Sequence, residues 1–309
     1  MSQGGLWQGF WRLADPKISI TSLACMVVGA SVAATHGPLD WTWLGLLALA
    51  LFCMEVAKNA WGDVFDYDSG TDLAVAPEDR TNFSGGKRVL VDALLTRSQT
   101  WALAGGFGAI GLGLGAAIVF LREPSAFWIG ALGLALGWSY HGPPLKLAYR
   151  GLGELDVVLC YGPVLAVATC VIQTGEWSFP AFWLSLPLGI FIAAFLWVNE
   201  FPDFLADRSA GKNNLVARLG RRAASRVLPG IYAVGFGLLA SSLLLGLPGS
   251  VLWGFVALPT AAYASIRGAW RVGSRGSSSR CSDRSFGTAR RVAREKRCCW
   301  PARTRESRT

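Results

Sequence analysis

Two stretches of the chain place chemically capable side chains at matched spacing. The first reads Asn59-Ala-Trp-Gly-Asp63-Val-Phe-Asp66-Tyr-Asp68-Ser-Gly70-Thr-Asp72, and the second Asn199-Glu-Phe-Pro-Asp203-Phe-Leu-Ala-Asp207-Arg208-Ser-Ala-Gly211-Lys212. On a helix, Asn59, Asp63 and Asp66 fall at i, i+4 and i+7, and Asn199, Asp203 and Asp207 at i, i+4 and i+8. Each helix face therefore presents an amide and two carboxylates. Carboxylates this close repel one another unless positive charge sits between them. Aspartate oxygens with asparagine carbonyls suit a hard cation, Mg²⁺ above all, which keeps part of its shell for water and substrate phosphates. The expected ligands are Asp63, Asp66, Asp72, Asp203 and Asp207. One such cluster would read equally well as a solvated helix end. A second one, 140 residues further on, argues for a site.

A third stretch supplies cations. It reads Tyr140-His-Gly-Pro-Pro144-Leu-Lys146-Leu-Ala-Tyr149-Arg150-Gly-Leu-Gly153-Glu154. Lys146 and Arg150, with Arg88 and Lys212 from the other polar stretches, are able to contact diphosphate oxygens or a substrate carboxylate. Taken singly, each reads as an ordinary loop charge.

The elements that must position these groups are apolar. Of 309 residues, 52% are hydrophobic and 16% charged, too apolar for a soluble domain of this size. Uncharged runs near the roughly 20 residues needed to span a bilayer occur at 18–35, 41–54, 98–121, 124–145, 157–175 and 177–199. A seventh run, 227–266, is twice that length and is interrupted by Gly246-Leu-Pro-Gly249, so it reads as two helices. The expectation is an all-α, polytopic membrane helical bundle of eight readable helices, arranged as two related four-helix halves. Connections after helices 1, 3, 5 and 7 carry only Asp40, Arg122, Glu123 and Glu176, whereas those after helices 2, 4 and 6 are long and rich in Lys and Arg. The bias of basic residues toward the cytoplasmic side places these three loops, and both termini, in the cytoplasm of a cell-membrane protein.

Other readings fall away. The net charge of +9 is matched by the segment from Arg271 to Thr309, with twelve basic residues against three acidic, so the remainder is neutral and no nucleic-acid partner is expected. Seven cysteines without a C-x-x-C, and only two histidines, support neither a zinc site nor a disulfide framework. No small-residue cleavage site follows the first apolar run, so a removable leader is not expected. Gly106-x-Gly108-x-x-Gly111 has the form of a dinucleotide fingerprint. It lies inside an apolar run with no strand before it, where small-residue helix packing is the better reading.

Together the three polar stretches resemble the UbiA superfamily of intramembrane prenyltransferases, from about Lys17 to about Ile266. Gly62-Asp63-Val-Phe-Asp66-Tyr-Asp-Ser-Gly70-Thr-Asp72, Tyr149-Arg150-Gly-Leu-Gly153-Glu154 and Asp203 through Gly220 look most like the members that act on 1,4-dihydroxy-2-naphthoate in menaquinone synthesis. The resemblance implies an enzyme that uses Mg²⁺ to ionise a polyprenyl diphosphate and transfers the allylic group to an aromatic acceptor, with loss of CO₂ when that acceptor is the naphthoate. It implies catalytic roles for Asp63, Asp66, Asp203, Asp207 and Lys146. Substrate contacts are implied for Asn59, Arg88, Tyr140, Arg150, Asn199 and Lys212. Acceptors such as 4-hydroxybenzoate, homogentisate, haem, chlorophyllide or glyceryl phosphate stay open within the superfamily. A cation-coupled transporter is the alternative of another class. It would place its acids near the bilayer midplane rather than at one interface.

The chain departs from the family pattern twice. Gly62 stands where the subgroup usually has Asn before the first Asp, and the ninth helix of the family is missing. The expected division is a transmembrane prenyltransferase domain over 1–270 and a basic tail over 271–309. That tail reads either as a disordered arm attracted to anionic lipid or as the product of a reading frame shifted near Trp270.

Overall fold

The computed structural model describes residues 3–81 and 83–266, and the tail lies outside them. The chain opens with α1 (Gln3–Ala14) and α2 (Pro16–Ala33), separated at Asp15, whose φ is 37°. Pro16 starts α2 without needing an N–H donor, and α1 ends there. Next comes α3 (Trp41–Ser69), with the Asp40 carboxylate accepting from the Thr42 and Trp43 amides at its N-terminus. At 29 residues α3 is about 44 Å long, so it crosses the roughly 30 Å hydrocarbon layer and carries its last turns beyond it. It stops at Gly70 (φ 82°), which turns into the single-turn α4 (Thr71–Ala74).

A Thr96/Gln99 capping box begins α5 (Arg97–Leu121), followed by α6 (Ala126–His141). The sequence predicts a helix over 124–145. Gly142-Pro143-Pro144 ends it at 16 residues, because a proline disfavours helical geometry in the residue before it.

The second half repeats this order. The next span is broken as the first is, into α7 (Gly153–Leu159) and α8 (Leu165–Thr174), where the sequence predicts one continuous helix. Tyr161 and Gly162 leave helical geometry and Pro163 has no N–H to offer, so the break belongs to the Gly-Pro pair. Then α9 (Phe179–Ala210) runs 32 residues, about 48 Å, and ends at Gly211 (φ 76°), as α3 ends at Gly70. Short α10 (Leu215–Leu219) takes the place of α4, and α11 (Arg221–Ser241) that of α5. After the Gly246 turn the chain continues over Gly249–Ile266, where 249–257 is 3₁₀ and 258–266 α-helical.

Among the described residues seven helical stretches are long and apolar enough to cross a membrane, one fewer than the eight expected because α6, at 16 residues, falls short of that length, and no strand occurs. Large apolar side chains point outward, Phe120 being 82% and Leu244 88% exposed, as lipid-facing residues do. Trp41, Trp128 and Trp177 mark helix starts. Inside, small residues bring helices close. A Cβ on Gly111 of α5 would stand 2.7 Å from the Met54 sulfur of α3, so Gly111 has a packing role, whereas Gly106 has open space around it.

Candidate active site

The last turns of α3 hold Asp63 and Asp66, both buried. Asp63 Oδ2 accepts from the Leu90 amide at 3.2 Å. Asp66 is more heavily engaged. The Tyr149 hydroxyl donates to its Oδ1 at 2.6 Å, while its Oδ2 lies 3.1 Å from Lys212 Nζ and 3.6 Å from His141 Nε2. Ser69 Oγ, one turn on, shares a hydrogen bond with the same tyrosine at 2.9 Å. Beyond Gly70, Asp72 is 2% exposed. Gly86 (φ 72°) packs so closely on its carboxylate that no Cβ fits there, and the Arg88 guanidinium donates to its backbone carbonyl at 2.9 Å.

From the other half, Asp203 Oδ2 accepts from the Gly85 amide at 3.0 Å, and Asp207 Oδ2 from Asn214 Nδ2 at 2.7 Å. Lys212 follows the Gly211 stop of α9, its amide bonded to the Asp207 carbonyl at 2.8 Å, so its side chain reaches across to Asp66. Two links therefore join motifs that are 140 residues apart in sequence. One is the Lys212–Asp66 ion pair. The other is the Gly85–Leu90 loop, whose amides hold Asp203 and Asp63 and whose glycine and arginine hold Asp72.

The electrostatics follow from burial. Burial, then the Asp66 and Asp63 charges, push the Asp72 carboxyl up to about 8. Burial alone would depress Lys212, but the Asp66 and Asp207 carboxylates beside it hold its ammonium well above the ordinary range. Burial and Asp66 also raise the Tyr149 phenol, so it remains a donor. Among the aspartates of the two motifs, three buried carboxylate oxygens, Asp63 Oδ1, Asp72 Oδ2 and Asp203 Oδ1, have no hydrogen-bond partner. Unpartnered carboxylate oxygens fit a hard cation. Among the described residues no three His, Cys, Asp or Glu groups converge tightly enough to hold one unaided. Such a cation would take further ligands from water or phosphate oxygens.

Other sequence candidates stand at varying distance from this cluster. Tyr140 precedes His141 on α6, and their rings meet edge to face with centroids 4.6 Å apart. Lys146 is exposed, its ammonium 5.7 Å from the Tyr149 ring centroid, the same distance as Lys212 on that ring. Arg150 is not brought to the carboxylates: its guanidinium donates to the Pro144 carbonyl at 3.1 Å. Asn59 donates to the Leu13 carbonyl at 2.7 Å, closing the end of α1. Asn199 is half-buried on α9 one turn before Asp203.

Nothing in the sequence pattern marks Tyr149, His141 or the Gly85–Leu90 backbone as part of the site. No periodicity signals contacts over such separations. Gly62 also finds a reason. A Cβ there would stand 3.0 Å from His141 Cε1 and Nδ1, so the missing side chain is what lets the imidazole lie beside Asp66.

Behind the cluster lies a largely apolar cavity of about 450 Å³, running between α3, α5, α6 and the α7–α8 span. Its lining along α3 extends from Leu47 to Trp61, about 21 Å of helix.

Comparison with known proteins agrees with this architecture. The model of the UbiA prenyltransferase family matches residues 22–287. The chain is 30% identical over 253 residues to a 1,4-dihydroxy-2-naphthoate octaprenyltransferase of Mycobacterium tuberculosis, covering 82% of this chain and 83% of that protein. A Bacillus subtilis protein of the same name is 26% identical over 235 residues, 74% of this chain and 71% of its own length. Among solved structures, a UbiA homologue from Archaeoglobus fulgidus bound to DMAPP and Mg²⁺ superposes with a TM-score of 0.61. It is 16% identical, over 86% of this chain and 87% of that one.

Proposed function

Because this chain belongs to the UbiA prenyltransferase family, we propose that it transfers a polyprenyl group from its diphosphate to 1,4-dihydroxy-2-naphthoate, with Mg²⁺ as cofactor. The multi-pass membrane setting suits such a donor, whose tail is too apolar for water while its diphosphate needs polar loops. The carrying observation is the meeting of both acidic motifs at one place, with Lys212 against Asp66 and unpartnered oxygens on Asp63, Asp72 and Asp203.

In this reading Asp63, Asp66, Asp72, Asp203 and Asp207 hold the metal. Bound there, Mg²⁺ supplies the positive charge that neutralises the leaving diphosphate. Lys212 contacts diphosphate oxygens, and Arg88 fixes Asp72 through its carbonyl. Tyr149 orients Asp66 by donating to Oδ1. The apolar cavity excludes water, so the allylic carbon meets the electron-rich ring of the acceptor rather than a water molecule. The new C–C bond forms at the ring carbon bearing the carboxylate, and CO₂ departs leaving its bonding electrons in the ring. The naphthoate octaprenyltransferase names of the relatives support this acceptor over others of the superfamily. The three basic loops face the cytoplasm of the cell membrane in this reading, following the Lys and Arg bias.

The test incubates purified protein with labelled polyprenyl diphosphate, Mg²⁺ and a panel of aromatic acceptors, and identifies products by mass. The expected product is the prenylated naphthalenediol lacking the carboxyl group, absent when EDTA replaces Mg²⁺. A product only with another acceptor would overturn the choice of acceptor.

A further inference from the structure

The polar end of the 450 Å³ cavity carries groups that the metal and diphosphate chemistry does not use. Lys58 lies on α3, directly before Asn59 and about one and a half turns before Asp63, and lines the cavity. Among the described residues no carboxylate is within ion-pair distance of its ammonium, which stands 5.0 Å from the Tyr140 ring centroid. Asp156, on α7, lines the same cavity. It is 5% exposed, and its Oδ1 has no hydrogen-bond partner. The Trp61 indole N–H, a third lining group, also lacks one. Glu55 lines the cavity as well but differs, since its carboxylate accepts from the hydroxyls of Ser19 and Ser22. Two donors and one acceptor without a hydrogen-bond or ion-pair partner thus face one largely apolar cavity, whose other polar lining groups are Ser22, Glu55, Tyr140, Cys160 and Tyr161.

We propose that Lys58, Trp61 and Asp156 form the acceptor subsite, built for a hydroxylated aromatic carboxylate. Lys58 and the Trp61 N–H pair with the carboxylate, and Asp156 accepts a hydrogen bond from a ring hydroxyl. A bare hydrocarbon tail would leave all three groups unsatisfied, and an inorganic anion would face Asp156. The volume lies within the roughly 300–1,000 Å³ of small-molecule sites. The position suits the reaction too. Tyr140 meets Lys58, and the next residue, His141, is 3.6 Å from Asp66 Oδ2, so the ring would be held beside the carboxylate cluster. This inference rests on the proposed prenyl transfer to an aromatic acceptor.

Equilibrium binding separates the two ideas, because it needs no turnover. Quenching of tryptophan fluorescence would be titrated with 1,4-dihydroxy-2-naphthoate and with 1,4-dihydroxynaphthalene, which lacks the carboxylate. Lys58→Met should weaken the naphthoate at least tenfold, leave dihydroxynaphthalene within twofold of wild type, and leave prenyl diphosphate binding unchanged. Asp156→Asn, nearly isosteric, should weaken both acceptors alike with diphosphate binding intact. Wild-type binding without any prenylated product would sink the transferase reading and keep the subsite. Prenyl transfer by the wild type, together with unaltered acceptor binding in both variants, would overturn the subsite and keep the reading.

Discussion

Tyr149→Phe removes one oxygen atom and leaves a ring in place between Lys146 and Lys212. That oxygen donates to Asp66 at 2.6 Å and meets Ser69 at 2.9 Å, so its loss frees the carboxylate to turn. A hydrogen bond to a charged group contributes about 1.5–3 kcal/mol. At 1.36 kcal/mol per tenfold, that bond is equivalent to about 10- to 150-fold in rate if the orientation of Asp66 matters fully in the transition state. Asp66 keeps Lys212 at 3.1 Å and His141 at 3.6 Å, so the lower part of that range, about 10- to 50-fold, is expected. The assay is initial-rate prenyl transfer at saturating Mg²⁺, with the melting temperature in detergent as a control for folding. A rate within twofold of wild type at an unchanged melting temperature would refute the positioning role of Tyr149.

Further outcomes follow from the same geometry. Gly62→Ala places a methyl 3.0 Å from the His141 ring and should cost about 1–3 kcal/mol by overpacking. In a His141→Ala background the same change should cost nothing, so a double-mutant cycle showing additivity would contradict the contact. Asp72, whose carboxyl burial and the Asp66 and Asp63 charges push up to about 8, must lose its proton to act as a ligand, so apparent Mg²⁺ affinity should fall as pH drops below 8, by about tenfold per unit for each ligand that takes up a proton. Titrations at pH 6, 7 and 8.5 measure this slope, and Asp72→Asn should make it shallower. Asn59→Ala loses the bond to the Leu13 carbonyl and should lower stability by about 1 kcal/mol while sparing turnover. A collapse in kcat at unchanged stability would make Asn59 a substrate group instead.

Much of this architecture is legible from one physical rule, that a bilayer needs about 20 apolar residues per helix. That rule finds the seven long spans among the described residues, although the turn residues Gly246–Gly249 are what divide the last two. It cannot find where a helix stops within a permissive run. Pro143 and Pro144 shorten α6, and Gly162-Pro163 breaks the α7–α8 span, both written in turn residues rather than hydropathy. Spacing also brings out Asp63, Asp66, Asp203 and Asp207, because α3 and α9 continue as helices to Ser69 and Ala210. The cations are harder to place from sequence. A basic residue in a loop reaches several angstroms in any direction, and Arg150 turns to a local carbonyl while Lys212 crosses to Asp66. Lys58 and Asp156 had a signal in plain view, charge within or beside an apolar run, whose meaning depends on the neighbours that folding supplies.

The proposed chemistry depends on a single site assembled from both halves of the chain. Its most direct test is Mg²⁺-dependent binding of a non-reactive prenyl thiodiphosphate to wild type, Asp66→Asn and Asp203→Asn, one variant from each half. Each substitution removes a charge with little change in volume, and each should abolish the Mg²⁺-dependent part of binding while leaving membrane insertion intact. Retention of full Mg²⁺-dependent binding by either variant would contradict a shared site.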